Sequence, residues 1–300
     1  MKPAVKAHIA LFATNLFFAI NFTTVKYLIN GGYLKAFGLN LIRVGVTGIL
    51  LWGLYFFNKN KKRIAAKDWK QFLFCAITGV AINQLFFIKG LSLTYSIHAS
   101  LLLLITPILI TFIAAWLLRE RLSNNKIIGL ALGIGGSLIL VLAKEKSGNG
   151  SDVLLGDIFV ILNAISYTFY FVLVKPLMQI YNPVAVLRNV FTIGFFLILP
   201  FCFTEFNQIQ WHTYGIKEWS ALGMITITGT FCAYLFNIYG IKTLGASVAG
   251  TYIYSQPVFA AAIAITFLGE TLSAYKLLAG AFIFAGVYLA NKTTKHATNN

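Results

Sequence analysis

Uncharged polar side chains recur within long apolar stretches of this 300-residue sequence, and they form its largest set of residues able to recognise a ligand. Asn and Gln amides donate and accept hydrogen bonds, and Tyr adds an apolar ring with a hydroxyl that can orient a bound molecule. In apolar helices such groups favour the bundle interior, where they line a polar lumen or bond one helix to another. The candidate cavity residues are Asn15, Asn83, Gln84, His98, Tyr167, Tyr170, Asn237, Tyr252 and Gln256. Asn21, Asn163, Asn189 and Tyr234 share the same pattern.

Four cations, Lys26, Arg43, Lys175 and Arg188, lie within or near the apolar stretches. Each lysine stands near the end of a stretch, where a long side chain can reach the aqueous boundary, so a structural role is expected for both. The two arginines lie deeper, and a guanidinium there either bonds backbone carbonyls at helix ends or meets the carboxylate or phosphate of a solute. His98 could titrate near neutral pH, although packing is the expected use of a lone histidine.

Acidic residues are scarce, and their positions argue against catalysis. The chain has eight Asp and Glu residues, and the sequence places none of them deep within an apolar stretch. A membrane-embedded enzyme would need clustered carboxylates for a metal, or a nucleophile beside a base, so no catalytic residue, metal site or cofactor is predicted. The three cysteines lie singly in apolar stretches, which argues against a disulfide framework, and the sequence has no Gly-Lys-Ser/Thr loop for ATP.

The elements that must position these residues are membrane-spanning helices. The mean hydropathy is +0.79, and 58% hydrophobic residues with only 11% charged residues exceed what a soluble globule of this length carries. A spanning helix needs roughly 20 mostly apolar residues, and ten are predicted, leaving almost no chain for a soluble domain. They cover about 8–29, 36–57, 70–90, 96–118, 125–143, 155–175, 183–203, 219–239, 246–268 and 273–291.

The distribution of basic residues predicts the orientation of the chain. The net charge is +16, but the basic residues flank apolar stretches, which is typical of a topology signal rather than of nucleic-acid binding. With the N-terminus inside, fifteen Lys and Arg residues fall on the cytoplasmic side and six on the other. The sequence therefore predicts an integral protein of the cytoplasmic (inner) membrane with both termini in the cytoplasm. Its expected partners are the lipid bilayer and a small-molecule solute, with no nucleic acid.

The chain repeats itself at an offset of 150 residues. Residues 86–140 align with 236–290 without a gap and with 14 identities in 55 positions. If each copy has five helices, an odd number, the second copy enters the membrane from the opposite face, so the repeats are inverted. The predicted division is a first repeat at 1–146, a linker at 147–154, a second repeat at 155–291 and a cytoplasmic tail at 292–300.

Both copies contain a proline followed thirteen residues later by a glutamate, as Pro107 with Glu120 and Pro257 with Glu270. Thirteen helical residues rise by roughly 20 Å, so glutamates at the membrane surface go with prolines deep inside. The prolines remove a helical hydrogen bond and predict bends that serve either as hinges or as packing features. The glutamates are expected at helix ends, paired with cations or with free amides at the next helix N-terminus.

These motifs resemble the EamA-type family of the drug/metabolite transporter superfamily: Glu120-Arg-Leu-Ser123 and Glu270-Thr-Leu-Ser273 each follow a proline and precede a glycine-rich last helix. The resemblance covers nearly the whole chain. It implies an all-α polytopic membrane protein of ten transmembrane helices in two inverted five-helix repeats, with a central cavity lined mainly by the first four helices of each half. It also implies transport of small metabolites, often outward, without fixing the solute.

The function expected from the sequence is secondary transport by alternating access, with export of amino acids or related polar solutes. The excess of cations in the spans favours a solute with a carboxylate. A passive channel or facilitator and a membrane-embedded enzyme are the alternatives. Small residues on the last helix of each half predict close packing, and Gly129 with Gly133 matches a GxxxG pattern, so a monomer or a homodimer is expected.

Overall fold

The computed structural model describes residues 2–57, 63–118, 124–142, 151–244 and 252–291, and these residues are helical apart from short connections. We number the helices in chain order. The first half contains α1 (Pro3–Asn30), α2 (Ala36–Phe56), α3 (Ala66–Leu93), α4 (96–118) and α5 (Asn124–Leu142). The second half contains α6 (Val153–Ile180), α7 (Pro183–Asn207), α8 (Ile216–Leu244), α9 (Ile253–Leu268) and α10 (Ala274–Asn291).

Within the described residues, six helices are long and apolar enough to cross a membrane: α1, α2, α3, α6, α7 and α8. Four others are apolar over shorter stretches, at Ser96–Ile110, Ile127–Leu142, Ile253–Leu268 and Ala274–Leu289. A helix satisfies its backbone polar groups internally, as a lipid environment demands. The all-helical fold is confirmed for the described part of the chain, whereas ten spans remain a prediction.

Helix starts follow ordinary capping chemistry. Pro3 and Pro183 occupy the first positions of α1 and α7, where a missing N–H costs nothing. Asp152 Oδ1 accepts a hydrogen bond from Leu155 N at 3.1 Å and caps α6, and Asn182 caps α7 in the same way. The predicted linker lies partly, and the predicted tail wholly, outside the described residues.

Two helices contain π-helical segments at positions related by the 150-residue offset. In α3, a 3₁₀ turn at Ala66–Asp68 and an α segment at Trp69–Ala76 precede a π segment at Ile77–Ala81, and Ile82–Leu93 completes the helix. In α8, the α segments Ile216–Gly223 and Ala233–Leu244 flank a π segment at Met224–Cys232. Such segments frequently occur at functional sites, because they displace side chains from ordinary helical positions.

A 3₁₀ turn precedes each motif proline. The helix α4 consists of Ser96–Leu102, a 3₁₀ turn at Leu103–Ile105 and Thr106–Leu118, whereas α9 begins with the turn Ile253–Ser255 and continues as Gln256–Leu268. Pro107 and Pro257 are the second residues of the segments that follow. Because proline has no N–H, it cannot bond the carbonyl four residues earlier, and the tighter turn falls at that place. Both helices lose regularity there, and a hinge role remains a prediction.

Helices of the first half pack against helices of the second. The most extensive contacts join α5 with α10, α2 with α7, α3 with α6, and α1 with both α8 and α9. A methyl group added at Gly286 would lie 2.5 Å from Gly129 O, and one added at Gly136 would lie 2.7 Å from Ala279 O. The small-residue face of α5, including its GxxxG pattern, is therefore occupied by α10 of the same chain.

Buried apolar side chains form two clusters. The first cluster includes Phe22 and Ile88, and it packs the helices α1, α2, α3 and α4 against α9 and α10. The second cluster includes Phe72 and Phe191, and it packs α2 and α3 against α6 and α7. Polar candidate residues lie where these clusters meet, since the lining of the central cavity takes side chains from both.

Candidate functional site

A central cavity of about 140 Å³ lies between the two halves. None of the described residues that line it is acidic, and its rings include Phe18, Phe22 and Phe87. Asn21, Asn163 and Tyr234, which share the polar pattern, line it as well. Six of the nine candidate cavity residues, together with Arg43, lie at its wall: Asn15, Asn83, Gln84, Tyr167, Asn237 and Gln256.

Arg43 of α2 supplies the charge at the cavity wall. Its side chain is 2% exposed, Nε donates to Thr230 Oγ1 at 3.1 Å, and Nη1 has no hydrogen-bond partner among the described residues. Thr230 lies in the π segment of α8, and its hydroxyl donates to Ile225 O at 2.8 Å, which holds it towards α2. A buried guanidinium without a facing carboxylate is costly, and an anionic solute would supply both the missing charge and the missing acceptor.

The amides of the cavity wall also bond helices together. Asn83 and Asn163 each donate to the other's backbone carbonyl, at 3.5 and 2.8 Å, and so connect α3 with α6. Gln84 Nε2 donates to Tyr234 OH at 3.0 Å and connects α3 with α8. The acceptors Gln84 Oε1 and Asn21 Oδ1 have no hydrogen-bond partner among the residues that the structure describes. Helix bonding thus uses part of this polar set and leaves unsatisfied acceptors at the wall.

Three of the nine candidate cavity residues do not line the cavity. Tyr170 is buried in the second apolar cluster, with its ring centroid 5.9 Å from that of Tyr167. The Tyr252 hydroxyl lies 2.7 Å from Nδ1 of His8 in the second turn of α1. His98, the third, belongs to a separate network.

His98 lies in a buried network beyond one end of the cavity. Its Nδ1 is 3.0 Å from Asp157 Oδ2, and both side chains are fully buried. Thr94 Oγ1 donates to Asp157 Oδ1, and Lys26 Nζ donates to Thr94 O. Asp157 is thus a fully buried carboxylate near the start of α6. Lys26 bonds within the bundle instead of reaching the aqueous boundary, so only the route of its expected structural role differs. Mutual pairing is what makes the burial of such groups tolerable.

Glu270 closes the same end of the protein. Its carboxylate accepts hydrogen bonds from Ser96 N at 2.7 Å and Ile97 N at 3.0 Å. These are free amides of the first turn of α4, where negative charge is favourable. Glu270 thus pairs with a helix N-terminus, but with that of a helix in the other half rather than the next one in sequence. Glu120 lies outside the described residues.

Two rings separate this network from the cavity. Phe22 and Phe87 line the cavity, and their centroids lie 5.6 Å apart. Lys26 follows Phe22 by one helical turn, a rise of roughly 6 Å. At this level a methyl group added at Gly156 would lie 2.6 Å from Thr94 N, so the backbones of α3 and α6 nearly touch. We call Lys26, Thr94, His98, Asp157 and Glu270 the closing network, because it seals the end where α1 and α3 finish.

The remaining predicted residues lie away from the cavity. Lys175 is exposed near the end of α6, as expected for a snorkelling side chain. Arg188 lines a different cleft, next to Asn189. Pro107 is half-buried and Pro257 is buried, each two residues after the end of its 3₁₀ turn.

Sequence reasoning missed Gly79 and Gly229, which lie in the two π segments. A methyl group at Gly79 would lie 2.3 Å from the Tyr170 ring, and one at Gly229 would lie 2.8 Å from Asn21 Oδ1. Each glycine therefore lets a side chain of the other half pack directly on its helix. The sequence signal for these glycines is the tripeptide Ile-Thr-Gly, which occurs at 77–79 and again at 227–229. Both copies lie just before the repeated ranges 86–140 and 236–290.

Adding a methyl group at Gly79 is expected to lower the free energy of unfolding by about 1–3 kcal/mol, the usual cost of overfilling a packed interior. Thermal unfolding of purified Gly79→Ala in detergent measures this. Gly135→Ala is the matched control, because no atom lies within 4 Å of the added methyl group. If both variants melted at the same temperature, the close packing on the π segment would be of no energetic consequence.

Known protein families show which class of protein this chain belongs to. The model of the EamA-like transporter family matches this chain twice, at residues 5–142 and 154–292. The chain belongs to the EamA-like transporter family. The boundary between the two EamA matches falls in the connection between α5 and α6, where the repeat in the sequence also divides the chain.

Relatives of this EamA chain extend over nearly its whole length. An uncharacterised transporter of Archaeoglobus fulgidus is 24% identical over 95% of this chain and 98% of its own. A probable terminal-alkyne amino-acid exporter of Streptantibioticus cattleyicolor is 25% identical over 96% of this chain and 94% of its own. A solved crystal structure superposes with a TM-score of 0.64 over 100% of both chains at 17% identity, which supports the fold alone.

Family membership and the apolar helices fix the general class. EamA relatives are transporters rather than enzymes, which removes the membrane-enzyme alternative. The protein is an integral membrane transporter, and its substrate is a small solute.

Proposed function

We propose that this EamA protein exports amino acids or closely related polar solutes by alternating access. The observation that carries the proposal is Arg43, which is buried at the wall of the central cavity. Within the described part of the chain its Nη1 has no hydrogen-bond partner and the cavity lining has no acidic residue. A solute carboxylate would satisfy this guanidinium, and the charge-assisted pair would hold the solute between α2 and α8.

The other unsatisfied atoms of the wall suit the ammonium group of an amino acid. No described residue donates to Gln84 Oε1 or Asn21 Oδ1, and an ammonium group is purely a donor. The rings of Phe18 and Phe22 offer an apolar surface for a side chain. The relative named as a probable amino-acid exporter supports the same class of solute.

The size of the cavity favours a small solute. At about 140 Å³ it is below the roughly 300–1,000 Å³ typical of pockets for drug-sized ligands. A multidrug exporter would need a larger lumen, so we assign a metabolite of amino-acid size.

Alternating access follows from two inverted five-helix repeats, at 1–146 and 155–291, that cross the membrane ten times. The closing network joins these halves, since Thr94 and His98 belong to the first and Asp157 and Glu270 to the second. Separation of these pairs would open that end, with bends at Pro107 and Pro257 accommodating the movement.

The excess of basic residues at one end supports an orientation with both termini in the cytoplasm, and a location in the inner membrane. In this orientation the closing network lies at the non-cytoplasmic face. A cavity closed at that face can load solute only from the cytoplasm, as an exporter requires.

Counterflow in proteoliposomes tests this function. Vesicles preloaded with an unlabelled amino acid are expected to accumulate the labelled one transiently above equilibrium, which a passive channel cannot do. Gln256→Ala, at the cavity wall, should reduce the initial rate at low solute concentration at least about tenfold, because each hydrogen bond to a charged solute contributes about 1.5–3 kcal/mol.

Lys175→Gln is the control, because Lys175 is exposed and lies outside the cavity. Uptake without counterflow would favour the channel alternative. Counterflow of sugars but not of amino acids would refute the assigned class of solute and leave the carrier mechanism standing.

A further inference from the structure

A second cleft opens where α2 ends and where α3 and α7 begin. Its volume is about 720 Å³, and it is lined by residues that include Tyr55, Arg63, Trp69, Arg188 and Asn189. None of its described lining residues is acidic. The cleft is distinct from the central cavity, with which it shares none of the described lining residues.

Arg188 is held in this cleft by stacking. The guanidinium carbon lies 3.8 Å from the ring centroid of Tyr55 and 4.3 Å from that of Trp52. These contacts fix the plane of the guanidinium but use none of its N–H groups. Nη2 donates to Asn189 Oδ1 at 2.8 Å, whereas Nε finds no hydrogen-bond partner in the described part of the chain although the residue is only 8% exposed. A buried, oriented cation with an unused donor is a prepared site for an anion.

The surroundings of the cleft are those of a membrane interface. It lies at helix ends, and Trp52 and Trp69 are 38% and 45% exposed, as expected of rings at the level of lipid headgroups. Large apolar side chains neighbour its lining residues along the chain: Phe56 follows Tyr55 and is 67% exposed, and Leu73, one turn after Trp69 on α3, is 42% exposed. An anion that carries acyl chains would match both the cations of the cleft and this apolar border.

We propose that the cleft binds the phosphate of an anionic phospholipid, with Arg188 and Arg63 as its ligands and the exposed rings against the acyl chains. Arg63 adds a second guanidinium at the mouth of the cleft. An Arg pair recognises phosphate oxygens with directed hydrogen bonds, whereas a zwitterionic headgroup would bring a choline cation to the same charged surface. The site is independent of the solute proposed for the central cavity.

Native mass spectrometry of the purified full chain tests the site without any transported solute. The protein is delipidated, and phosphatidylglycerol, phosphatidylcholine or inorganic phosphate is added back. We expect one phosphatidylglycerol to be retained in preference to phosphatidylcholine. Retention should fall about tenfold in Arg188→Gln, the loss that corresponds to one charge-assisted hydrogen bond.

Arg63→Gln is the second variant, because Arg63 is exposed and its replacement leaves the fold intact. Lys217→Gln, an exposed cation at the start of α8, is the matched control and should retain phosphatidylglycerol like the wild type. Equal retention of the two lipids by the wild type would overturn the proposal, as would unchanged retention in both arginine variants. Binding of inorganic phosphate that excludes phosphatidylglycerol would assign the cleft to a free anion instead.

Discussion

Replacing Arg43 with Gln is expected to abolish counterflow of an amino acid while leaving the protein folded. Truncating one partner of a buried charge pair costs about 2–5 kcal/mol, which weakens binding at least about thirtyfold. Removal of the guanidinium also relieves the cost of burying a charge, because no described residue that lines the cavity is acidic. The melting temperature in detergent should therefore stay the same or rise, and this separates a binding role from a structural one.

Two further variants give this test its controls. Arg43→Lys keeps the charge but not the planar pair of donors, so it should recover part of the affinity. Lys175→Gln removes an exposed cation and should leave counterflow unchanged. Wild-type counterflow by Arg43→Gln would mean that Arg43 serves only to hold Thr230, and the proposed carboxylate anchor would be wrong.

The two arginines show how far the repeat alone predicts a site. Arg43 and Arg188 lie on α2 and α7, the second helix of each half, and both are buried. Arg43 reaches the central cavity, whereas Arg188 lies over Tyr55 beside the second cleft. The direction of a side chain depends on the rotation of its helix and on which end of the protein is closed, and neither follows from spacing in the sequence.

The amides of the cavity were predictable, because a polar side chain on an apolar helix has little alternative to facing the interior. Asn83 and Gln256 both follow that rule. His98 and Asp157 lie 59 residues apart, and their hydrogen bond exists only because α4 packs on α6. The sequence indicated which residues were costly in lipid, but the partner that offsets each cost was set by tertiary packing.

Hydropathy also overestimated the regularity of the helices. It predicts an unbroken apolar stretch at 96–118, where the structure has a 3₁₀ turn before Pro107. Apolar composition measures the preference for lipid, whereas helix type depends on backbone hydrogen bonds that a proline removes. The Ile-Thr-Gly repeat was the available signal for the π segments, because a glycine is needed where a side chain packs against the helix backbone.

Removing the Asp157 carboxylate is expected to open the closed end. In Asp157→Ala, His98 and Thr94 lose their buried partner, and breaking a buried pair costs about 3–5 kcal/mol. The closed state bears this free-energy cost, whereas an open state in which water reaches His98 and Thr94 does not. The ratio of open to closed protein should therefore rise by at least about a hundredfold. The two halves would then separate beyond the layer formed by Phe22 and Phe87.

Labelling of a cysteine at Leu103, in the cavity wall, measures this opening. Cys75, Cys202 and Cys232 are first replaced by Ser, and an impermeant maleimide is applied to right-side-out and to inside-out vesicles. Asp157→Ala should increase labelling from the non-cytoplasmic side alone, which also tests the orientation. Asp152→Ala is the matched control, because it removes only the N-terminal cap of the same helix. A lower melting temperature without increased labelling would make the closing network a packing feature, and the gate would have to lie elsewhere.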